Sequence, residues 1–371
     1  MEKITVQLAI QQRVLPSYRI PFFDALAAEC SQGLHLIAGQ PRPEESIDSQ
    51  VMPARASFTR TVNIHLLSGK LYFCWQKGLI PWLERSKPEV LIMEANPRYL
   101  SSYGAIRWMK SRGKAALGWG LGSPAGTGGW SSLRKDWRQN FIRQFDGLIT
   151  YSHRGAEEYA KLGFPPEKIF TAPNAAVSRP VQAPPNRPNQ FIADRAVILF
   201  VGRLQARKRV DELIRACTAL PEELQPILWV VGDGPMRLEL EALAKEVYPR
   251  ARFFGAMHGS ELERQFTRAD LFVLPGTGGL AVQQAMSFGL PVIVGQADGT
   301  QADLVQPENG WSLLAGSSES LANAMQQALS DVSRLRKMGM ESYRIVKDEI
   351  NLETMVQAFV GAVNSVTGRA A

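Results

Sequence analysis

Three groups of residues in this chain have types and spacings that could do chemistry. The first is Leu274-Pro275-Gly276-Thr277-Gly278-Gly279-Leu280, running on into AVQQAMSFGLPVIV. Glycines at 276, 278 and 279 leave backbone N–H groups unshielded where a helix begins, and a helix N-terminus carries roughly +0.5 of an elementary charge. Such a site suits a diphosphate. The second group is Gly202-Arg203-Leu204 at the end of AVILFVG, with Lys208 five residues after Arg203. Ligands of open α/β sheets bind beyond the carboxyl ends of the strands, so both cations are expected to face whatever sits on the glycine loop. A charge-assisted hydrogen bond contributes about 1.5–3 kcal/mol, and two of them could hold a diphosphate without a metal. The competing reading of Arg203 and Lys208 is a solvated helix face continuing through Arg207 and Arg209. The third is Glu94, which ends the apolar run VLIME. It is either a general base or acceptor-binding group, or a capping carboxylate.

Other signals are weaker. His35 and His65 sit in strand-like apolar runs and read as fillers, whereas His153 follows GLITYS and His258 follows FFGAM, where each could reach a ligand. Gly232-Asp233-Gly234-Pro235 mimics a phosphate loop, but a turn between strand and helix explains it equally well. Cys30, Cys74 and Cys217 are widely spaced, with no histidine partner at ligand spacing, and read as buried thiols. No Asp-x-Asp pair is present, so no metal site is expected.

The elements that must position these residues follow from the hydrophobic pattern. A chain of 371 residues suits two domains, and two lobes imply a cleft. Past a proline-rich stretch, AVILFVG, ILWVVG, RFFGA, LFVLPG and PVIVG alternate with helical segments near 210–219, 236–247 and 280–288. That order is the signature of a parallel βαβ sheet. TVQLAI, LHLIAG, VLIMEA, AALGWG and GLITYS repeat the scheme in the first lobe. The expected fold is α/β, with two Rossmann-like, doubly wound parallel-sheet domains facing each other across a cleft. Boundaries are expected at 1–179 for the first domain, 180–194 for the linker, 195–345 for the second domain and 346–371 for a terminal helix.

The net charge of +7 is uneven: residues 1–180 carry +9 and residues 181–371 carry −2. Nine basic residues stand against one acid between Arg98 and Arg143, which suggests an acidic partner. Trp130 to Phe145 reads as an amphipathic helix with Leu133, Trp137, Phe141 and Phe145 at four-residue intervals. That stripe either joins the core or contacts an anionic membrane. The neighbouring cluster from Leu71 to Trp75, with Leu79, Ile80 and Trp82 after it, could join that membrane surface or form an acceptor site, but a core position is expected. No apolar run reaches the roughly 18 residues a membrane span needs, and MEKITVQLAI lacks the features of a secretory signal, so the expected location is the cytoplasm or its membrane face.

FVGRLQARKRVDELI, VVGDGP, FFGAM, ADLFVLPGTGGLAVQQAMSFGLPVIV and the turn Pro307-Glu308-Asn309-Gly310 stand in the order and spacing of retaining family-4 glycosyltransferases. The chain resembles that family, whose fold is GT-B, over nearly all of its second lobe. The resemblance implies that Arg203 and Lys208 bind the donor diphosphate, with Gly202 beside them. It also implies that the backbone around Gly255, Ala256 and Met257 holds the nucleobase next to His258, and that Thr277, Gly278, Gly279 and Leu280 cradle sugar and phosphate. The first lobe is similar mainly through Tyr18-Arg19-Ile20-Pro21-Phe22-Phe23 and FTAPNAAV with Asn174, making Arg19 and His153 acceptor-side candidates. Relatives carry two glutamates where this chain has Gly276 and Gln284, and many carry a histidine where it has Gly118-Trp119-Gly120-Leu121-Gly122. A glutamine amide offers an acceptor and donors to ribose hydroxyls, so donor binding is expected to survive.

The activity these features imply is transfer of a sugar from a nucleoside-diphosphate sugar of unidentified base to a glycan or lipid-linked acceptor, with no further cofactor and no nucleic acid involved. The missing glutamates favour one rival, a non-catalytic GT-B-like subunit. An epimerase is the other rival, but it relies on carboxylates and histidines that cannot be placed here.

Overall fold

The structure, a computed structural model, describes residues 2–45, 47–122, 131–191, 194–295, 301–313 and 318–368. The chain divides into two compact units, Met1–Ala176 with Leu352–Ala371, and Val177–Asn351.

The first unit runs β1 (Leu8–Val14), α1 (Ile20–Ala28), β2 (Leu34–Gly39), β3 (Ser57–Arg60), β4 (Asn63–Leu66), β5 (Phe73–Gln76), α2 (Leu79–Ser86), β6 (Val90–Glu94), α3 (Leu100–Lys110), β7 (Ala115–Gly120), α4 (Ser131–Ile142), β8 (Gly147–Thr150), α5 (His153–Lys161) and β9 (Ile169–Thr171). Seven strands form one parallel sheet in the order β3-β2-β1-β6-β7-β8-β9, with Ile10 opposite Leu36 on one side and Ile92 on the other. Helices cover both faces, so successive residues of a strand serve opposite cores. On β6, Val90 and Ile92 join the core containing Phe22 and Phe23, while Leu91 and Met93 join the one containing Trp82 and Met109.

β4 and β5 form a separate antiparallel hairpin pairing Ile64 with Trp75 and Leu66 with Phe73. Its polarity is inverted. The inward positions hold Cys74 and Gln76, and the Gln76 amide accepts from Gln11 Nε2 (2.9 Å) and donates to the Gln12 carbonyl (2.9 Å) on β1. Alternation then turns Ile64, Leu66 and Trp75 outward. The expected core position holds for Leu79 and Trp82, which are buried, but not for Leu71 and Trp75, which are 66% and 47% exposed. On α4, Phe141 joins the core with Phe145 after the helix, while Trp137 stays exposed, edge-on to Phe73 at 6.0 Å. Trp130 and the Leu133 side chain lie outside the described residues.

The second unit runs β10 (Val197–Val201), α6 (Val210–Ala219), β11 (Ile227–Val231), α7 (Arg237–Val247), β12 (Ala251–Gly255), α8 (Gly259–Arg268), β13 (Leu271–Leu274), α9 (Leu280–Ser287), β14 (Val292–Gly295), α10 (Gln301–Leu304), β15 (Gly310–Leu313), α11 (Ser318–Leu329) and α12 (Val332–Asp348). Its parallel sheet has the order β12-β11-β10-β13-β14-β15. Chain progress reverses between β10 and β13, so the loops leaving these strands diverge and open a crevice at their carboxyl ends.

Residues 180–191, expected within a linker, are fastened to this unit. Arg187 donates to the carbonyls of Phe266, Ala269 and Phe288 (2.8 Å each), Arg336 to that of Pro188 (2.9 Å) and the Tyr343 hydroxyl to that of Gln182 (2.6 Å). The prolines preclude helix but leave carbonyls, and arginines satisfy carbonyls well. The crossing back begins at α13 (Leu352–Val366), since α12 continues to Asp348, past the expected 346. α13 joins the first unit, with Phe359 ring centroids 4.8 Å from both Phe22 and Trp119.

Candidate active site

The two loops at the switch point of the second unit are laced together. Lys208 sits on the short 3-10 turn Ala206–Lys208 ahead of α6. Its side chain passes Gly202, where a Cβ would lie 3.8 Å from Lys208 Cε, and its ammonium donates to the Thr277 carbonyl and lies against Gly278. Arg207 adds a guanidinium bond to Thr277 Oγ1 (3.0 Å) and accepts the Thr277 N–H at its carbonyl (3.1 Å). Gly276 is where the chains cross: a Cβ there would overlap the Arg207 carbonyl oxygen. With the loops in this arrangement, a glutamate at 276 has no room. Burial, reinforced by the Arg207 charge, lowers the Lys208 ammonium to about 8.

α9 begins at Gly279 with no side-chain cap, so its first-turn amides lack partners within the helix. They face an anion as readily as water. Of the adjacent glutamines on α9, Gln283 is buried and committed, accepting from Val177 N (3.2 Å) and donating to the Ile350 carbonyl (2.7 Å). Gln284 is half-buried, and its side-chain amide makes no hydrogen bond among the described residues.

Beside the loops, at the carboxyl ends of β10, β11 and β12, lies a pocket of about 620 Å³ lined by Gly202, Arg203, Gly232, Asp233, Gly234, Ala256, Met257 and His258, among others. Arg203 is exposed and forms no ion pair among the described residues, and His258 is exposed at the N-cap of α8. The Gly232-to-Pro235 turn proves to be a wall of this pocket. Gly232 has φ +140°, and a Cβ there would overlap the Gly202 carbonyl. That close approach lets Leu204 N donate to the Asp233 carbonyl (2.9 Å) and Met236 N to that of Leu204 (3.1 Å). Arg203 lines the pocket and Lys208 reaches the glycine loop, the two sites meeting at Gly202. Sequence reasoning missed Arg207, although the single hydroxyl in the glycine loop, Thr277, was a signal that a donor might be needed opposite.

In the first unit a pocket of about 440 Å³ opens at the carboxyl ends of β6 and β7, and its lining includes Glu94, Arg98, Trp119, Arg138, Tyr151 and Tyr159. Glu94 Oε2 is buried without a hydrogen-bond partner. Burial pushes the carboxyl up to about 7 against the pull of the Arg13 charge. Arg19 does not line this pocket. It is 6% exposed, donates to Asn174 Oδ1 (2.5 Å) and lies 5.2 Å and 5.6 Å from the Tyr151 and Trp119 ring centroids. Arg19, expected on the acceptor side, has its guanidinium engaged by Asn174 and these rings within the first unit's core. His153 starts α5 exposed and does not line the pocket either. A hollow of about 500 Å³ beside Lys110, Lys114 and Lys168 opens at the amino ends of β7 and β8, the edge opposite to that used for ligands.

Two parallel-sheet Rossmann-like units are the architecture of GT-B glycosyltransferases. The solved structure of the lipopolysaccharide outer core galactosyltransferase WaaB in its apo form matches with a TM-score of 0.70 and 16% identity, covering 97% of this chain and 99% of that one. HepE of Anabaena, solved with UDP, matches with a TM-score of 0.67 and 16% identity over 98% and 100%. Residues 184–344, most of the second unit, match the family Glycosyl transferases group 1. The lipopolysaccharide core biosynthesis glycosyltransferase LpsE of Rhizobium meliloti is 27% identical over 229 residues, 60% of this chain and 65% of that protein. The chain spans less than two thirds of the length of the curated relatives it matches.

Proposed function

We propose that this chain transfers a sugar from a nucleoside-diphosphate sugar to a glycan or lipid-linked acceptor in cell-surface polysaccharide synthesis, with retention of configuration and without a metal. The observation that carries the reading is Lys208 stretched from Gly202 to the glycine loop at the uncapped start of α9. A diphosphate there meets an ammonium, the Arg203 and Arg207 guanidiniums and free helix amides, and the adjoining pocket suits a nucleobase. The UDP bound by HepE and the lipopolysaccharide role of LpsE support the donor and acceptor classes.

In this reaction the bond from the anomeric carbon to the diphosphate breaks as the bond to the acceptor oxygen forms, and the leaving diphosphate takes the acceptor's proton. Neither motif glutamate has a role in that scheme. The protein's task is to stabilise charge on the leaving group, which preorganised cations and amides do without reorganisation. Peripheral contact with an anionic membrane is part of the proposal, through the apolar outer face of the β4–β5 hairpin. Among the described residues no helix is long and apolar enough to cross a membrane.

Calorimetry with a panel of nucleoside diphosphates tests the donor site. One or more should bind, Lys208→Ala should weaken that binding by about 1.5–3 kcal/mol, and transfer should persist in excess chelator. Unchanged affinity in the variant removes the assigned site, and chelator-sensitive transfer restored by Mg²⁺ removes the metal-free scheme.

A further inference from the structure

Two buried polar groups without partners meet at the pocket of the first unit. Glu94 closes β6 and Trp119 is its register partner on β7, so the two side chains stand side by side on one face of the parallel sheet. The Ala95 N–H, donating to the Trp119 carbonyl at 2.8 Å, fixes that register to the end of the strands. Both residues line the pocket of about 440 Å³. Glu94 Oε2 is buried and accepts no hydrogen bond, and Trp119 Nε1 is buried and donates none. Neither side chain is placed to turn elsewhere. Trp119 is 2% exposed, with the Phe359 ring at 4.8 Å and the Arg19 guanidinium at 5.6 Å, while the Arg13 backbone and the Tyr99 hydroxyl engage the Glu94 carboxyl. Leaving a buried donor and a buried acceptor unsatisfied costs free energy that a ligand offering the complement of each would recover.

The indole can only donate and an ionised carboxylate can only accept, so the ligand group must do the reverse of both at once. A hydroxyl does so with a single oxygen. Adjacent strands lie about 4.8 Å apart, a gap that two hydrogen bonds of about 2.8 Å meeting at one oxygen can bridge. An oxyanion would face the carboxylate with like charge, and an ammonium would face an N–H that accepts nothing. The guanidiniums of Arg98 and Arg138, which also border the pocket, are engaged within the protein. Tyr151 and Tyr159 extend the aromatic wall, and an apolar wall with a few placed polar groups is the usual make-up of a small-molecule site. We propose that this pocket orients an acceptor sugar through one neutral hydroxyl, which accepts from Trp119 Nε1 and donates to Glu94 Oε2. This rests on the glycosyltransferase reading and deepens it, by assigning Trp119 to acceptor binding and giving Glu94 an orienting role. The proton lost in the transfer goes to the leaving diphosphate, not to Glu94.

The test uses the full chain, isotope-labelled at the tryptophan indole nitrogens and titrated by NMR with methyl glucoside, methyl galactoside and methyl mannoside, then with UDP and GDP. The indole signal absent from Trp119→Phe belongs to Trp119. At least one glycoside should move that signal, and Trp119→Phe, which keeps a ring but removes the N–H, should weaken that glycoside about fivefold. Glu94→Leu should weaken it at least as much, and Glu94→Gln, which keeps an acceptor oxygen, should weaken it less. Nucleoside-diphosphate affinity should be the same in all three variants, which also reports that they are folded. Among the deoxy analogues of the bound glycoside, the one lacking the bridging hydroxyl should bind wild type and Trp119→Phe equally. The proposal is overturned if no glycoside moves the Trp119 signal, or if every glycoside binds wild type and Trp119→Phe alike. If the bridging hydroxyl maps to Glu94 and Trp119 but no nucleoside diphosphate binds, the pocket stands and the transferase reading fails.

Discussion

The proposed role sets Lys208 two demands that conflict in water: to hold a diphosphate it would have to be charged, yet it lies against glycine backbone where its charge is poorly solvated. Burial therefore lowers it to about 8, and the charged form is the one that binds. Diphosphate affinity should be flat below about pH 7 and fall as pH rises through 8, by at most about tenfold per unit, with proton uptake on binding near pH 8. Calorimetry in two buffers of different ionisation enthalpy measures both effects, and a profile in wild type as flat as in Lys208→Ala would show that the ammonium is not the diphosphate's partner. Gln284 is the second residue whose role is decided locally. Its neighbour Gln283 is committed to Val177 and Ile350, whereas the Gln284 amide is available one turn into α9. If it holds ribose hydroxyls, Gln284→Leu should weaken nucleoside-diphosphate binding by about 1 kcal/mol, roughly fivefold, because the hydroxyls lose a partner. Gln284→Glu should keep or improve it. Equal affinity in wild type and the leucine variant takes Gln284 out of the site.

At the scale of elements, the terminal helix is the clearest case of packing set by a few side chains. Phe359 of α13 is fully buried between Phe22 and Trp119, and α13 lies in the first unit although α12 ends the second. Phe359→Ala should cost about 3–5 kcal/mol by leaving a cavity. The loops proposed to hold the donor are built wholly from second-unit residues, so the variant should lower the first unit's melting temperature while nucleoside-diphosphate affinity stays the same. Loss of that affinity together with the helix would contradict the division of labour proposed here. How much of this was legible follows the same division. The βαβ order of the second unit could be read because runs such as Val292-Ile293-Val294 are short, β-branched and bounded by glycine or proline. The hairpin at 63–76 could not. Its strands are four residues long, and their inward positions are polar because Gln76 is satisfied by β1, a partner more than sixty residues away. The glycine loop was legible as the turn leading into α9, but its lacing to Arg207 and the crossing at Gly276 depend on two loops meeting, which no local pattern encodes. Arg19 has partners that were illegible for a related reason. An arginine near a family motif reads as a ligand-binding group until its partners, Asn174 and two aromatic rings, are seen.

Across the whole molecule, charge and apolar exposure concentrate in the same half of the chain. Residues 1–180 carry +9 of a net +7, and the exposed large apolar side chains of the first unit include Val62, Ile64, Leu66, Leu67, Leu71 and Trp75, all on or beside one hairpin. Apolar groups gathered on one surface mark an interaction site, and tryptophan with leucine beside basic residues suits the headgroup boundary of an anionic bilayer. Lys77 follows β5, and Arg134 and Lys135 are exposed on α4, whose Trp137 touches Phe73. A lipid-linked acceptor would give such a surface a purpose. The chain should therefore co-float with vesicles containing about 30% phosphatidylglycerol and much less with neutral phosphatidylcholine vesicles, and the difference should shrink between low and high salt as the Debye length falls from about 10 Å to 3 Å. Leu71→Ser with Trp75→Ser removes apolar area from the hairpin without touching Gln76 or Cys74, so flotation should drop while nucleoside-diphosphate affinity and the melting temperature hold. If the double variant floats as well as wild type, the hairpin is not the membrane surface; if wild type does not float on anionic vesicles at all, the exposed apolar face answers to some other partner.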